Sequence, residues 1–310
     1  MDSGMKKILV IGSLNIDCVV HVDHTPITGE TILCSRMNMV PGGKGANQAC
    51  AAGKLGADVT FLGAIGNDSY GEFQKKSLVA AGVDISHLIE RKNSSTGLAF
   101  ITVDKNGDNS IVVIQGANAT LTKEDIEQNT DLIEESDIVI FQLEIPIETV
   151  IYGAHKAKEL GKLVILDPAP VPEHFPEELY RYVDIIKPNE TELGMLTGTV
   201  VTENNLERAA ACLRDRGVRN VIVTLGENGV YVDSEEEGKM RIPAVKVHAV
   251  DTTAAGDSFT AALAIKLSEG KNLREAVTFG NYVSSIVVTR QGAQSSIPTM
   301  EEVQEYIGRK

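Results

Sequence analysis

The sequence predicts an α/β fold, a doubly wound and mainly parallel sheet with helices on both faces, together with a small antiparallel β lid. Short apolar runs alternate along the chain with helix-length amphipathic stretches. Most of these runs are apolar throughout, which is typical of strands buried on both faces of a parallel sheet. Two further regions alternate apolar and polar residues around turn signals, which indicates antiparallel strands.

The strands of the main sheet are predicted from six runs. These are KKILVIGS (6–13), VTFLGAIG (59–66), DIVIFQLE (137–144), KLVILDP (162–168), VDIIKPN (183–189) and RNVIVTLG (219–226). Helices are predicted after several of them, at SYGEFQKKSLVAAG (69–82), PIETVIYGAHKAKELG (146–161) and ENNLERAAACLRDRG (203–217). A further strand, VKVHAV (245–250), is predicted before the helical pattern SFTAALAIKLSEG (258–270).

The lid is predicted from segments at about 17–40 and 97–114, which are inserted into an otherwise continuous α/β pattern. We find no repeat and no linker rich in Pro, Gly or Ser that would divide the chain. The expectation is therefore a single domain over residues 1–310.

The composition excludes several classes of protein. With 29 Lys and Arg against 43 Asp and Glu, the net charge is −14, which argues against broad binding of nucleic acid or anionic membranes. The first apolar run is too short for a signal peptide and no stretch is long enough for a membrane span, so we expect a cytoplasmic protein. The four cysteines have no CxxC spacing, which favours reduced thiols.

Familiar catalytic motifs are also missing from the sequence. There is no P-loop lysine motif, no GxGxxG after the first strand, no GxSxG and no HExxH. This excludes a P-loop nucleoside triphosphatase and argues against a nicotinamide dehydrogenase, a serine hydrolase of the elbow type and a zinc protease.

Two small-residue loops remain as candidates for the site. PGGKGANQA (41–49) leads into an Ala-rich helix, and the alternative interpretation is a plain glycine turn. DTTAAGDSF (251–259) places Ala254, Ala255, Gly256 and Asp257 at a helix N-terminus, where free backbone N–H groups attract negative charge. Asp257 suits a general base there, although an acidic N-cap is an equal alternative on this segment alone.

Six segments in order, GSLNID, PGGKGANQA, QLEIP, KPNETE, VTLGENG and DTTAAGDSF, resemble the ribokinase-like family of carbohydrate kinases. The resemblance extends from about Ile8 to Pro298, with GGKGANQA and AAGD as its most specific motifs. It departs from the family at Asp167 of LDPAP, where relatives often have Asn, and at Thr253, where others have Ile or Ser.

The resemblance implies a site for each substrate. Asp257 would be the catalytic base, and Ala254, Ala255 and Gly256 would form the anion hole. The implied sugar-binding residues are Asn15, Asp17, Gly43, Lys44, Gly45, Ala46, Asn47, Glu144 and Asp257. The implied ATP-binding residues are Asn189, Thr224, Leu225, Gly226, Glu227, Asn228, Gly229, Gly256, Asp257 and Asn281.

Metals and assembly are implied in the same way. Glu192 would hold Mg²⁺, which accompanies ATP, through water. A monovalent activator, K⁺, would be bound by oxygens of Asp251, Thr253, Val287, Arg290, Gly292 and Ser296. For Asp251 the alternatives are a turn cap or a pair with Arg290. The resemblance and the apolar lid faces both predict a homodimer formed through the lid.

The reaction implied by the resemblance is phosphorylation of D-ribose at its 5-hydroxyl by ATP, giving ribose 5-phosphate and ADP. The alternatives within the family are kinases for a related sugar or nucleoside, such as deoxyribose or adenosine. An alternative from another class is a sugar-binding regulator that has lost catalysis.

Overall fold

The computed structural model describes residues 7–34, 36–106 and 108–309. The strands are β1 (Ile8–Ile11), β2 (Asn15–His21), β3 (Met37–Gly42), β4 (Val59–Leu62), β5 (Ala64–Gly66), β6 (Ile89–Arg91), β7 (Gly97–Val103), β8 (Asn109–Ile114), β9 (Ile138–Phe141), β10 (Leu163–Leu166), β11 (Ile185–Ile186), β12 (Asn220–Thr224), β13 (Val230–Ser234) and β14 (Gly238–Ile242).

The helices are α1 (Lys44–Lys54), α2 (Ser69–Ala80), α3 (Lys123–Gln128), α4 (Thr130–Glu135), α5 (Ile147–Glu159), α6 (Glu190–Thr197), α7 (Leu206–Asp215), α8 (Ala255–Ser268), α9 (Leu273–Val287) and α10 (Met300–Gly308). Short 3-10 helices occupy Gly116–Thr120, Glu177–Tyr182 and Gly226–Asn228.

The main sheet has the strand order β14-β13-β12-β11-β10-β9-β1-β4. All pairs from β4 to β12 are parallel, and β13 and β14 add an antiparallel hairpin at one edge. The chain moves outward in opposite directions from β1, to β4 on one side and to β9 on the other. Ligands bind outside the carboxyl ends of the strands at such a switch point.

Helices cover both faces of this sheet, which confirms the predicted doubly wound class. One core packs Ile8 and Val10 of β1 with α1, α8 and α9, and the other packs Leu9 and Ile11 with α5, α6 and α7. Because successive residues of a strand point to opposite faces, a strand between two such cores must be apolar at every position. This requirement produces the continuous apolar runs of the sequence.

Each of the six predicted runs contains a strand of the main sheet, but two details differ. VTFLGAIG is divided, because β4 joins the main sheet whereas β5 pairs with β6 in a separate two-stranded sheet. The strand predicted at 245–250 is wrong: this segment is extended without a ladder partner, and two of its three valines, Val247 and Val250, are exposed. The β13–β14 hairpin before it was not predicted.

The small sheet that the lid segments predict is confirmed, with the order β3-β2-β7-β8. Its outer pairs are antiparallel, and its central pair, β2 with β7, runs parallel because β7 follows β2 only after a long crossover. Strand β2 begins at Asn15, directly after the turn that leaves β1. The small sheet therefore begins at the carboxyl edge of the main sheet.

Within the described parts of the chain, no helix is both long and apolar enough to cross a membrane.

Candidate active site

The segments singled out in the sequence meet at the carboxyl edge of the main sheet. Ser13 follows β1, Glu144 follows β9, Asp167 follows β10 and Asn189 follows β11. Helices α1 and α8 direct their N-termini to the same edge, at Gly43 and Ala254. The site thus lies at the switch point between β1 and β9, and it combines strand ends with two helix N-termini.

Neither N-cap residue caps its own helix with a side chain, although Glu144 and Ser13 accept the first two N–H groups of α1. Gly43, the N-cap of α1, has φ 88°, and a Cβ there would lie 2.7 Å from the backbone nitrogen of Asn15, so only glycine fits. Ala254, the N-cap of α8, has φ 60°, a left-handed conformation that costs energy for a residue with a side chain. Strain of this kind clusters at functional sites.

The first turn of α8 leaves backbone donors free. The N–H of Ala255 donates to Thr252 O at 3.2 Å, whereas those of Gly256 and Asp257 have no acceptor in the described part of the chain. Because the residue at the N-cap is Ala254, the alternative that Asp257 is the N-cap is wrong. The predicted small-residue helix start is present, with its free N–H groups at the second and third helical residues.

The carboxylate of Asp257 is buried and held by two amides of α1. Asn47 Nδ2 donates to its Oδ2 at 3.0 Å, and Gln48 Nε2 donates to its Oδ1 at 3.1 Å. Burial raises the pKa of Asp257, while the charge of Lys44 acts in the opposite direction. The residue therefore has the environment of a carboxylate that accepts a proton more readily than an exposed one.

Lys44, the first residue of α1, supplies positive charge to this edge. Burial alone would lower the pKa of its ammonium, but four surrounding carboxylates raise it above its usual range: those of Asp167, Asp257, Glu144 and Glu192. Lys44 thus remains protonated among these carboxylates.

On the other side of Asp257, polar groups of β1, β2 and β9 converge. Glu144 Oε2 accepts from Ser13 Oγ at 2.5 Å and from the backbone N–H of Lys44 at 3.0 Å. The side chain of Asn15 is oriented by Asn118, whose Nδ2 donates to Asn15 Oδ1 at 2.8 Å. This leaves the Nδ2 of Asn15 without an acceptor among residues 7–34, 36–106 and 108–309.

The carboxylate of Asp17 rests against the backbone of Gly42, where a Cβ would lie 2.1 Å from Oδ2. Burial raises the pKa of Asp17 to about 7, with additional contributions from the negative charges of Glu144 and Asp257. An acid that titrates near neutral pH is held here at an energetic cost, which is typical of a functional group rather than a stabilising one.

This pKa predicts a specific dependence of stability on pH. Since an unfolded Asp titrates near 3.9, the folded state binds more protons between about pH 4 and 7. The contribution of Asp17 to stability is therefore fully present below about pH 4 and lost as the pH rises through about 7. Asp17→Asn cannot ionise, so its stability relative to the wild type should rise by on the order of 2 kcal/mol from pH 5 to pH 8.

Denaturant unfolding at pH 5, 6.5 and 8 measures this difference. Asp23→Asn, an exposed acid just beyond the same strand, is the control and should run parallel to the wild type. A constant difference between Asp17→Asn and the wild type across this range would contradict the raised pKa.

A cleft of about 1140 Å³ opens beside Asp257. Most residues predicted to bind ATP line it: Asn189, Thr224, Gly226, Glu227, Asn228, Gly229, Gly256, Asp257 and Asn281. Leu225 does not, because its side chain is buried in the core behind the loop. Residues 244–249, which include most of the segment wrongly predicted to be a strand (245–250), form one wall of the cleft.

Asn189 and Glu192 form a reciprocal cap at the start of α6. Asn189 Oδ1 accepts from the N–H of Glu192 and Glu192 Oε2 accepts from the N–H of Asn189, each at 2.8 Å. This cap fixes both side chains at the rim of the cleft, with the second oxygen of Glu192 available to a ligand.

Asp251, assigned by resemblance to a cation site, is held in its own turn. Its Oδ1 accepts from the N–H and the hydroxyl of Thr253, at 2.9 and 2.6 Å, and its Oδ2 accepts from the N–H of Gly292 at 2.9 Å. Although burial acts in the opposite direction, these bonds lower its pKa. Arg290 pairs with Glu302 at 2.7 Å, so the alternative of an Asp251–Arg290 pair is wrong, whereas the turn-capping alternative agrees with the structure.

Several polar residues of the site were not predicted from the sequence. Lys187 forms a buried ion pair with Asp167 at 3.4 Å, and Gln48 bridges Asp167 and Asp257. Gln142 and Asn118 hold other site residues in place. Gln48 lies in GGKGANQA and Lys187 lies in KPNETE, two segments that the sequence analysis identifies. Their polar character within these segments was the signal that could have found them.

Known proteins resemble this chain in sequence and in overall fold. The profile of the "pfkB family carbohydrate kinase" matches residues 5–300. The chain belongs to this family.

The similarity to individual members of the pfkB family is high along the whole chain. A ribokinase of Haemophilus influenzae is 42% identical over 304 residues, covering 97% of this chain and 98% of its own. The crystal structure of a Thermotoga maritima ribokinase matches with a TM-score of 0.90 and 45% identity, over 98% and 99% of the two chains. An Arabidopsis thaliana ribokinase, solved with ribose and ATP, matches with a TM-score of 0.92 and 34% identity, over 97% and 98%.

Proposed function

We propose that this kinase transfers the γ-phosphoryl group of ATP to the 5-hydroxyl of D-ribose, giving ribose 5-phosphate and ADP. The observation that carries the proposal is the position of Asp257: a buried carboxylate at an uncapped helix N-terminus, between the polar groups near Asn15 and Asp17 and the large cleft. The whole-chain similarity to ribokinases supports the choice of ribose.

The chemistry follows from the groups around Asp257. As the sugar hydroxyl attacks the γ-phosphorus, its proton passes to the Asp257 carboxylate, a new O–P bond forms and the bond to the ADP oxygen breaks. The free N–H groups of Gly256 and Asp257 and the ammonium of Lys44 stabilise the charge on the transferred group. Asp257 then returns the proton to solvent when the site opens.

The sugar side is suited to a polyol. Asn15 presents a donor, and Asp17 and Glu144 present carboxylate oxygens that remain partly free. Gly43 to Asn47 form the start of α1, which closes the sugar subsite from the side of Lys44. A sugar that lacks a matching hydroxyl leaves one of these buried groups unpaired, which costs about 1 to 3 kcal/mol.

ATP is proposed to bind in the cleft, with Mg²⁺ near Glu192. The donor set fits this ion, because the rim carries the free oxygen of Glu192 and the carboxylate of Asp257 faces the same space. Bound with ATP, the ion would neutralise charge on the phosphates. The protein fixes the Glu192 oxygen through the cap with Asn189.

The test is release of ADP by the purified enzyme with ATP and a panel of ribose, 2-deoxyribose, hexoses and adenosine. We expect kcat/KM to be highest for ribose. Equal values for ribose and adenosine would contradict the sugar assignment. Ribose binding without ADP release would instead favour the sugar-binding regulator.

A monovalent cation, K⁺, is proposed to bind between the Asp251 turn and the loop after α9. Both segments supply oxygen atoms, which are the hard ligands that K⁺ prefers. These are the Asp251 carboxylate and oxygens of Thr253, Val287, Arg290, Gly292 and Ser296, of which the Ser296 side chain is fully buried. The cation would preorganise the start of α8 without touching substrate.

Added K⁺ is therefore expected to raise kcat of the wild type by about 5-fold or more, a typical coupling between separate sites. Assays with and without potassium, in sodium-free buffer, measure the effect. Asp251→Ala should lose the response. A wild type that is indifferent to K⁺ would contradict the site.

Homodimerisation through the small sheet is proposed from its exposed apolar surface. Of the apolar residues in the lid segments, Phe100, Ile111 and Val113 are exposed, while Val19, Ile32 and Leu98 are half-buried. Strand β8 is exposed along its whole length and forms an open edge. Such a surface is typical of an interface.

We further propose that the enzyme acts in the cytoplasm.

Sedimentation tests this assembly. We expect a dimer at micromolar concentration that dissociates in the double variant Ile111→Lys with Val113→Lys, because lysine at both positions places like charges across the interface. Val200→Lys, at an apolar residue that is 83% exposed elsewhere, is the matched control and should remain dimeric. A dimer that both variants retain would place the interface on another surface.

A further inference from the structure

Beneath Asp257 lies a chain of buried polar side chains that the proposed reaction steps do not use. Gln48 Nε2 donates to Asp257 Oδ1 at 3.1 Å and to Asp167 Oδ2 at 3.0 Å. Its Oε1 accepts from Gln142 Nε2 at 2.6 Å. The side chains of Gln48 and Gln142 are completely buried. Every hydrogen-bonding atom of the Gln48 amide therefore has a protein partner.

The orientation of the Gln48 amide is determined by chemistry. An ionised carboxylate only accepts hydrogen bonds, so the group that faces both Asp257 and Asp167 must be the NH₂. Rotation of the amide by 180° would direct its oxygen at two carboxylates and lose both bonds. Gln142, which donates to Gln48 Oε1, selects the same orientation.

The surroundings hold this chain rigidly. A Cβ on Gly12 would lie 1.9 Å from Gln142 Oε1, so the strand end packs directly on that amide. Asp167 is fixed by its ion pair with Lys187, at 3.4 Å between Oδ2 and Nζ. The Lys187 ammonium in turn lies 3.6 Å from the position of a Cβ on Gly256. This series of buried side chains thus begins at Asp257 and ends beside Gly256, both of which lie in the first turn of α8.

We propose that Gln48 is a positioning residue for phosphoryl transfer, which fixes the Asp257 carboxylate relative to the first turn of α8. This inference rests on the proposed function, in which Asp257 accepts the proton of the attacking hydroxyl. Asn47 holds one carboxylate oxygen and Gln48 the other, so the plane of the carboxylate is fixed. Without Gln48, the carboxylate can rotate about its Cβ–Cγ bond, and the free lone pair no longer faces the sugar.

The test is Gln48→Met, which keeps the length of the side chain and removes the donors. We expect kcat to fall by about 10- to 100-fold, the effect of misplacing a reacting group by up to about 1 Å. The KM values for ribose and ATP should change by no more than about twofold, because Gln48 is completely buried and does not line the cleft. An unchanged kcat in the folded variant would overturn the proposal.

Thr149→Val is the control for the loss of a buried hydrogen bond as such. Thr149 is buried in α5 and donates to Leu121 O at 2.7 Å, on the other face of the sheet. We expect Thr149→Val to lower stability and leave kcat unchanged. If Thr149→Val lowers kcat as much as Gln48→Met does, the effect of Gln48 is a general consequence of destabilisation and the proposal is overturned.

A double variant tests whether Gln48 affects kcat by positioning Asp257 or by another mechanism. If Gln48 acts through Asp257, adding Gln48→Met to Asp257→Asn should lower kcat no further. Multiplicative losses would overturn the proposal. A full loss in Asp257→Asn with normal turnover in Gln48→Met would overturn this inference and leave the proposed function intact, whereas a wild type without ribose phosphorylation overturns both. If Gln48→Met does not fold, Gln142→Met replaces it, with a smaller fall in kcat expected and an unchanged kcat contradicting the proposal.

Discussion

Replacement of Asp257 by Asn is expected to lower kcat by about 100-fold or more, the usual cost of losing a general base. The asparagine keeps the shape of the side chain but cannot take the proton of the attacking hydroxyl. Ribose and ATP should still bind with affinities close to those of the wild type, because both subsites keep their other groups. Steady-state kinetics and calorimetric binding of each substrate measure the two effects separately.

Asp184→Asn provides the matched control for this prediction. Asp184 is also buried, but it lies directly before β11, at the opposite edge of the sheet, where it accepts from the N–H of Val164 at 3.0 Å. We expect Asp184→Asn to lower stability without lowering kcat. Near-normal turnover in Asp257→Asn would reduce Asp257 to a structural role.

Replacement of Asp17 by Ala is expected to lower kcat/KM for ribose by about 100-fold or more. A hydrogen bond to a charged acceptor contributes about 1.5 to 3 kcal/mol, and two carboxylate oxygens are lost. The KM for ATP should not change, because Asp17 does not line the nucleotide cleft. Asp23→Ala, at an exposed acid just beyond the same strand, is the control and should behave like the wild type.

Gly42→Ala tests the role of the Asp17 carboxylate through a change at the residue that packs against it. The new methyl group would lie 2.1 Å from Asp17 Oδ2 and displace the carboxylate without removing it. We therefore expect a loss of ribose affinity similar in kind to that of Asp17→Ala. Gly308→Ala, where a Cβ meets no atom within 4 Å, is the control. Normal ribose kinetics in both Asp17→Ala and Gly42→Ala would exclude Asp17 from sugar binding.

The main sheet could be predicted from the sequence because burial on both faces leaves a simple signature. Ile8 to Ile11 must be apolar at every position, since alternate residues enter different cores. The small-residue start of α8 was predictable for a local reason as well: Ala254 to Gly256 precede a helical pattern, and no bulky side chain covers the N–H groups. Both signals lie within one short segment of chain.

Other parts of the site depend on contacts between distant segments. Gln48 meets Asp167 across 119 residues and Asp257 across 209 residues, so their association depends on the order of strands in the sheet. The pKa of Asp17 is raised by burial and by two acids, one in the loop after β9 and one in α8. The segment 245–250 has the composition of a strand, but it lines the cleft beyond the last strand of the sheet. None of these properties has a local signature.

The proposed reaction transfers the phosphoryl group to the 5-hydroxyl of ribose while Asp257 removes its proton. It is tested most directly by ³¹P and ¹³C NMR of the product formed from ATP and ¹³C-labelled ribose. We predict a single phosphate monoester coupled to C5, formed with one ADP per sugar and formed at least about 100-fold more slowly by Asp257→Asn. Phosphate on any other ribose oxygen, ADP formation without a phosphorylated sugar, or an equal initial rate with Asp257→Asn would contradict the account.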